Sequence, residues 1–486
     1  LGAIGLRVLL SLAPAELPRL PEAGTLGLFT LMDGRILLFA FGVSIVTGVL
    51  FGLVPAMQLS RPTLNMSLRE GGARTTAGTA RQRTRSTLVV AEIALSLVLL
   101  VGAALMIRTF LAMRDVQPGF QTASVLTLSS SLAGQKYETA AAVERLSTEL
   151  TRRLESLPGV QSSTYALCLP LQLGPDMPFA IAGKPPRDGG PFNGDVDYRT
   201  VGWHYFQTLG IPLRRGRLFD ERDSSTGPWS LVINEAMAKK FWPKEDPVGA
   251  TVTIGHGLAP EMEDRPRQVI GVVGDVHEEG VDKEAPPVIY VPVGQVPNGM
   301  IALGNRILPS SWAVRGAGDP AALARAVQQE MLRVDPDLPV ARVMSMDRLL
   351  AKSMARQNFN MILLGIFGGI ALLLAAIGIY GVMSFTVGQR TNEMGIRIAL
   401  GASTGQLLRL VIGHGLLLAG IGVAIGLAAS FGLTRLMSSL LYGVKATDAA
   451  TFIAVAAILS AVAALACYIP ARRATRVDPI TALRWE

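Results

Sequence analysis

The chain has 486 residues, 50% of them hydrophobic and only 17% charged, with mean hydropathy +0.39 and formal net charge +8. Soluble globular proteins carry about 25% charged residues, so this balance points away from an ordinary soluble enzyme and towards lipid. Two cysteines, Cys168 and Cys467, exclude a disulfide scaffold or a four-cysteine zinc site.

A bilayer-spanning helix needs about 20 apolar residues, and five stretches qualify in chain order. Ile36–Val54 carries no charge, and Val89–Ile107 carries one, Glu92. Met361–Met383 and Val411–Leu433 are uncharged apart from the titratable His414, and Thr451–Ile469 closes the set. Charges in lipid are costly, which is why their near absence marks these runs as spans. Lys and Arg in short loops set orientation. Residues 58–86 net +5, residues 388–409 net +2 and the tail 471–486 net +2, against +8 for the whole chain. Alternating spans put all three basic segments on one side, the cytoplasm. The opposite side then receives residues 1–35, 111–356 and 434–450.

Residues 111–356 are long enough to fold alone. "VLTLSSSL" (Val125–Leu132), a helical pattern over Ala140–Leu157 and "VQSSTYALCL" (Val160–Leu169) predict a β-α-β unit. Strand-like pieces follow at Arg267–Val276, Pro287–Val293 and Ser311–Gly316. Asp319-Pro320 opens a further helix that stops at Asp335-Pro336. The fold class expected is an α-helical membrane protein with a large extracytoplasmic mixed α+β domain.

A shift of 415 residues superposes Pro55-Ala56 on Pro470-Ala471, Arg61 on Arg476, Leu68-Arg69 on Leu483-Arg484 and Asp33 on Asp448. Two copies of one unit are therefore expected, as in many transporters. The organisation reads as an extracytoplasmic segment 1–35, a span 36–57 ending a first half, and a basic cytoplasmic linker 58–86. A span 87–110, the domain 111–356 and a three-span region 357–486 make the second half. The start at Leu1 and the absence of a signal peptide suggest a longer reading frame whose first half would be a partner of this one.

The short link between the third and fourth runs, "RTNEMGIRIALGAS" (Arg390–Ser403), is richer than a turn requires. As a helix it pairs Glu393 with Arg397 at i,i+4 in the favourable order and puts Met394, Ile398 and Ala402 on one stripe. Gly395 and Gly401 allow close approach of another surface. Such a helix either rests in lipid headgroups or meets a protein partner.

This segment resembles the R-x-x-E-[IM]-G-I-R-x-A-[LI]-G-A stretch of the FtsX/MacB-like ABC transporter permeases, and "PARRATRVDPITALRWE" (Pro470–Glu486) resembles their C-terminus. "YFQTLGIPLRRGRLFDERD" (Tyr205–Asp223), "LVINEAMAKKFWPKEDPVGATVTIG" (Leu231–Gly255) and "VIGVVGDV" (Val269–Val276) are similar to the MacB-like periplasmic core. The junction after "LREGG" looks like the duplicated, ATPase-free branch. The resemblance implies that the 388–409 segment docks on a nucleotide-binding ABC ATPase subunit. Its contacts would be Glu393, Met394, Gly395, Arg397, Ile398, Leu400 and Gly401. It also implies mechanotransmission: ATP-driven closure of the nucleotide subunits moves the spans, which move the outer domain. A periplasmic adaptor and an outer-membrane channel are implied as further partners, and the bacterial inner membrane as the location. Some relatives switch a cell-wall hydrolase instead of transporting, so a regulatory role is the alternative.

Other motifs carry little. No G-x-x-x-x-G-K-[ST] occurs, so the chain has no P-loop and no cofactor is expected on it; ATP would belong to the partner. "GASTG" (Gly401–Gly405) matches G-x-S-x-G but lacks the preceding strand that a nucleophile elbow needs. Four histidines (His204, His256, His277, His414) show no metal spacing. "RQRTRS" (Arg81–Ser86) flanks a span, where basic residues are the rule, so nucleic acid is not expected as a partner. Glu92 is expected to snorkel or to pair with Arg85. "GIFGG" (Gly365–Gly369) and "GVAIG" (Gly422–Gly426) both satisfy G-x-x-x-G and are candidates for helix–helix contact.

Overall fold

A computed structural model describes residues 38–39, 41–45, 76–186, 192–255, 258–389, 400 and 403–474. It divides into two compact units, one of residues 1–114 with 356–486 and one of Asp115–Ala355. The run Ile36–Val54 lies mostly outside the described residues; 38–39 and 41–45 are helical.

In chain order, helix α1 (Thr76–Arg114) is followed by β1 (Val125–Ser130), α2 (Ala140–Glu155), β2 (Val160–Ala166), β3 (Asp176–Ile181) and β4 (Gly194–Val201). Then come α3 (Tyr205–Leu209), β5 (Leu213–Gly216), β6 (Ser230–Asn234), α4 (Glu235–Phe241), β7 (Thr251–Ile254), β8 (Arg267–Val273) and β9 (Val288–Pro292). The second unit closes with α5 (Asn298–Ile307), β10 (Ser310–Gly316), α6 (Pro320–Val334), β11 (Val340–Ser345) and α7 (Met346–Ser353). Helices α8 (Ala355–Gln389), α9 (Thr404–Leu436) and α10 (Ala449–Ala474) follow.

The second unit is built from two pieces. Strands β11, β1, β10 and β2 lie side by side in that order, all antiparallel, with α2 and α6 as the crossovers. This is the split β-α-β arrangement of a ferredoxin-like layer. Helix α2 forms because its apolar residues fall at helical spacing: Val143, Leu146, Leu150 and Leu154 are buried, and the Thr139 hydroxyl caps the start by accepting from Ala142 N. Helix α6 starts where Asp319 accepts from Ala321 N at 2.9 Å and Pro320 occupies the first turn. Trp312 is fully buried in β10, its Nε1 donating to Ser130 Oγ at 2.8 Å, with Tyr165 edge-on at 5.3 Å.

Between β2 and β10 the chain builds a closed ring of six strands. β4 pairs with β3, β3 with β7, β7 with β8, β8 with β6, β6 with β9, and β9 returns to β4 in parallel register, Asp197 facing Val288. Closure removes the open edges that a sheet must otherwise protect. Layer and ring share one strand pair, Ala166 with Val201. The chain passes between them twice, through the crossover of residues 167–175 and through residues 293–309, which include α5.

In the first unit, α1, α8, α9 and α10 are each long and apolar enough to cross a membrane, over Ser86–Arg114, Ala355–Gly388, Leu408–Leu436 and Ala449–Arg473. Half of the most apolar stretch of α1 is buried against 22–28% in the others, so α1 is the packing centre. Ile93, Leu97, Val101 and Leu105 form its fully buried stripe. Helix α9 reaches that stripe through glycine: a Cβ on Gly422 would stand 2.7 Å from Ile93 Cγ2, and one on Gly426 3.0 Å from both Ala94 O and Leu97 Cβ. Of the two G-x-x-x-G matches, then, Gly422–Gly426 makes the close approach. Gly365 and Gly369 have open space beside them, and their neighbour Gly368 faces Leu100 and Ala103 of α1 instead.

This contrast is testable. Gly426→Leu overfills the α1–α9 contact, a change worth about 1–3 kcal/mol, and lowers the thermal midpoint of the detergent-solubilised protein by several degrees. Gly365→Leu leaves it unchanged. Equal midpoints for the two variants, read by intrinsic fluorescence, would contradict the packing described.

Candidate functional site

The link between α8 and α9 is where the sequence places its coupling contacts. Glu393, Met394, Gly395, Arg397, Ile398 and Gly401 lie outside the described residues, while Leu400 is described and is 82% exposed. Directly after it, Ser403 caps α9: its hydroxyl accepts from Gln406 N at 3.4 Å, and Ser403 N donates to Gln406 Oε1 at 3.1 Å. This is a capping box. It accounts for the Ser in the G-x-S-x-G match, since a hydroxyl spent on a helix start is not a poised nucleophile.

Polar groups also join the helices of the membrane unit. Ser96 Oγ donates to the Ala371 carbonyl at 2.9 Å, linking α1 to α8. The Glu92 carboxylate lies against Gly378 of α8, where no Cβ would fit. Arg473 at the end of α10 donates to the Tyr380 hydroxyl of α8 at 3.1 Å. At the other end, Arg108 of α1 forms an ion pair with Asp448 and donates to Thr451 Oγ1 at 3.2 Å. Asp448 in turn caps α10, accepting from Thr451 N at 2.9 Å and Thr451 Oγ1 at 2.6 Å. The Thr451 hydroxyl first, then its backbone N–H, hold the Asp448 carboxyl below the usual range. The repeat singled out Asp448 by position; its role as cap and ion-pair partner emerges only in three dimensions.

The second unit contains two buried charge clusters that sequence reading did not anticipate. Arg199 Nε donates to Glu278 Oε2 at 3.0 Å and its Nη2 to Asp197 Oδ2 at 3.4 Å, all three side chains lying within 8% exposure. Tyr290 OH adds a donor to Glu278 Oε1 at 3.3 Å. Arg267 donates to both oxygens of Asp264, at 2.5 and 2.9 Å, and to Gln295 Oε1 at 3.1 Å, with its guanidinium 4.3 Å from the Trp229 ring centre. A signal for the first cluster does exist: Asp195, Asp197 and Arg199 alternate along β4, which puts charge on one strand face. Clefts open on this unit among the described residues. One of about 540 Å³ lies between α2 and residues 202–221, with Glu144, Thr151, Glu155, Trp203 and His204 on its walls. Another, of about 470 Å³, is bordered by Arg214, Lys239, Trp242 and Asp246. His204 Nδ1 is 2.8 Å from Glu155 Oε1. Among the described residues no group of three His, Cys, Asp or Glu side chains could hold a metal.

Among the described residues, four apolar helices carrying one large inserted α+β unit define a polytopic α-helical membrane protein with an extracytoplasmic domain. Residues 86–333 match the MacB-like periplasmic core domain family and residues 365–479 the FtsX-like permease C-terminal family. The chain belongs to this family of ABC transporter permeases. Among curated proteins it is 30% identical over 312 residues to the pyoverdine export ATP-binding/permease protein PvdT of Pseudomonas aeruginosa, covering 60% of this chain and 43% of that one. It is 28% identical over 318 residues to the macrolide export ATP-binding/permease protein MacB 2 of Aeromonas hydrophila subsp. hydrophila, covering 63% and 47%. The chain therefore spans less than half the length of these relatives. The crystal structure of the periplasmic region of MacB from Actinobacillus actinomycetemcomitans aligns at 17% identity over 49% of this chain and 95% of its own, with TM-score 0.31, too loose to place any residue.

The Arg199 cluster generates a stability prediction. Removing one partner of a buried ion pair leaves an uncompensated charge and costs about 3–5 kcal/mol. Arg199→Met is expected to lower the unfolding midpoint of the extracytoplasmic domain sharply. Ala at the fully exposed Arg222, which pairs with Asp220, leaves it in place. Circular dichroism melts of the two variants decide between a structural and a dispensable cluster.

Proposed function

We propose that this chain is the permease component of an ABC exporter in the bacterial cytoplasmic membrane. In this reading a separate nucleotide-binding subunit hydrolyses ATP, and the spans carry the motion to the extracytoplasmic domain. The observation that carries it is the pairing, in one chain, of an FtsX-like permease region (365–479) with a MacB-like core (86–333). The export named for the relatives supports the direction of transport and nothing finer. The segment between α8 and α9 is the proposed docking element, with Glu393, Met394, Gly395, Arg397, Ile398, Leu400 and Gly401 as its contacts. The exposure of Leu400 supports this, since a bare leucine outside the apolar runs suits a protein partner. A periplasmic adaptor and outer-membrane channel would complete the export path.

Orientation is checked by cysteine labelling in intact cells on a background lacking Cys168 and Cys467. Ser225→Cys, at an exposed site, should react with a membrane-impermeant maleimide, and Leu400→Cys should react only after permeabilisation. The reverse pattern would turn the proposed topology inside out.

Coupling is checked by pull-down of the nucleotide-binding subunit. A charge forced into an apolar contact costs several kcal/mol, whereas an i,i+4 surface pair contributes about 0.3–0.5 kcal/mol. Leu400→Asp is expected to abolish recovery of the subunit, and Glu393→Gln to reduce it only slightly. Undiminished recovery with Leu400→Asp at matched expression would falsify the docking role.

A further inference from the structure

The crossover from β2 to β3, residues 167–175, ties the ferredoxin-like layer to the six-stranded ring, and it is held unusually firmly. Leu171 adopts φ +69°, a left-handed conformation that a leucine takes only when its surroundings impose it. Those surroundings are specific. Leu171 N donates to the Glu278 carbonyl at 2.8 Å, Cys168 Sγ to the Leu173 carbonyl at 3.1 Å, and Tyr198 N to the Pro175 carbonyl at 2.9 Å. Gly174 lies directly on the Arg199 guanidinium, with no room for a Cβ. The floor under the crossover is therefore the buried Arg199 cluster.

That cluster is out of charge balance. Arg199 is the only cation bonded to Asp197 or Glu278 among the described residues. Asp176, the first residue of β3 and the next after the crossover, stands directly opposite Asp197 in the β3–β4 register. Two buried carboxyl groups thus share one guanidinium, and a third, that of the exposed Asp176, stands beside one of them. On the remaining side, β9 sets Val288 beside Asp197 and adds no charge, while its Tyr290 hydroxyl is turned to Glu278. Cys168 and Tyr205 are the other titratable groups close to Arg199 and Glu278. Two carboxylates buried on one guanidinium leave a negative charge without a partner, and burial together with the neighbouring Asp176 favours holding a proton there.

We propose that this cluster is a proton-operated latch on the β2–β3 crossover: a proton held between Asp197 and Asp176 closes it, and loss of that proton loosens the joint between layer and ring. Burial, helped by the hydrogen bond with Asp176 and opposed by Arg199, pushes the Asp197 carboxyl up to about 7. An unfolded aspartate titrates near about 3.9, so the closed state binds the extra proton. Its stabilisation is complete below about pH 4 and is lost as pH rises through about 7. An extracytoplasmic domain meets that upper range as its surroundings change, so the joint would be tighter in mild acid than in mild alkali. The latch is independent of the coupling reading, because it concerns only the second unit.

Hydrogen–deuterium exchange on the full chain in lipid nanodiscs tests it, following peptides over residues 168–180 at pH 5.5 and pH 8.0 after correction for intrinsic rates. One proton lost between those values raises the opening equilibrium by roughly tenfold or more. Wild type should show that rise, with peptides from α2 unaffected. Asp197→Asn should exchange slowly at both pH values, because an amide keeps the hydrogen bond without the charge. Asp176→Asn, at an exposed position that folding tolerates, should also flatten the response. A flat wild type, or a wild-type slope retained in either variant, overturns the latch.

Discussion

Lipid gives apolar helices no hydrophobic reason to associate, so the membrane unit depends on how closely their backbones can approach. The contact of α1 with α9 is such a close approach, because Gly422 and Gly426 let α9 settle onto Val90, Ile93, Ala94 and Leu97. The rest follows from α1 as the centre. Gly368 and Ser96 join α8 to it, Arg108 joins the start of α10, and the outward faces of α8, α9 and α10 remain apolar and open. Leu373, Ile377, Leu417 and Ile453 belong to those outward faces, where bilayer replaces water as the solvent.

Water reverses the logic in the second unit. Apolar surface drives collapse there, and the difficulty is what to do with strand edges and buried polar groups. Ring closure through β4 and β9 deals with the edges. The buried groups are dealt with by pairing, Arg199 with Glu278 and Asp197, Arg267 with Asp264 and Gln295. A guanidinium with its five donors can serve several acceptors at once, which suits it to such interior positions better than lysine.

Much of this was legible in the residues, and the gaps have physical causes. The apolar runs at 89–107, 361–383, 411–433 and 451–469 fall within α1, α8, α9 and α10, because length and absence of charge are local properties. The β1-α2-β2 unit and α6 were also legible, carried by period and by Asp319-Pro320. Strands β3, β4, β5, β6, β7 and β11 escaped notice: β5 has four residues, all exposed, and β7 alternates over only four residues, too short a run to stand out. Ring closure is a set of long-range pairings that no window can contain. Nor could the two glycine motifs be told apart by pattern alone, since which face of a helix meets a neighbour depends on helices far away in sequence. The charges of Asp197 and Arg199 sit in β4 as they would on any surface strand; burial is conferred by the neighbouring loop and by Glu278.

The geometry also bears on how force could pass through the chain. Helix α1 has 39 residues and α8 has 35, roughly 50–60 Å each at 1.5 Å per residue, well beyond the about 30 Å of hydrocarbon. These two helices carry the only covalent connections between the units, at residues 114–115 and 355–356. Neither contains proline, the usual cause of a sharp kink, whereas α10, which bears no such connection, has Pro470 inside it. An unbroken helix transmits displacement along its axis because every turn is tied to the next by hydrogen bonds. In the proposed coupling scheme a shift at the α8–α9 link therefore travels along α8 to the extracytoplasmic unit, and α1, held to α8 by Ser96 and to α9 by glycine contact, moves with it. What the domain does with that displacement then depends on how stiffly its own layer and ring are joined.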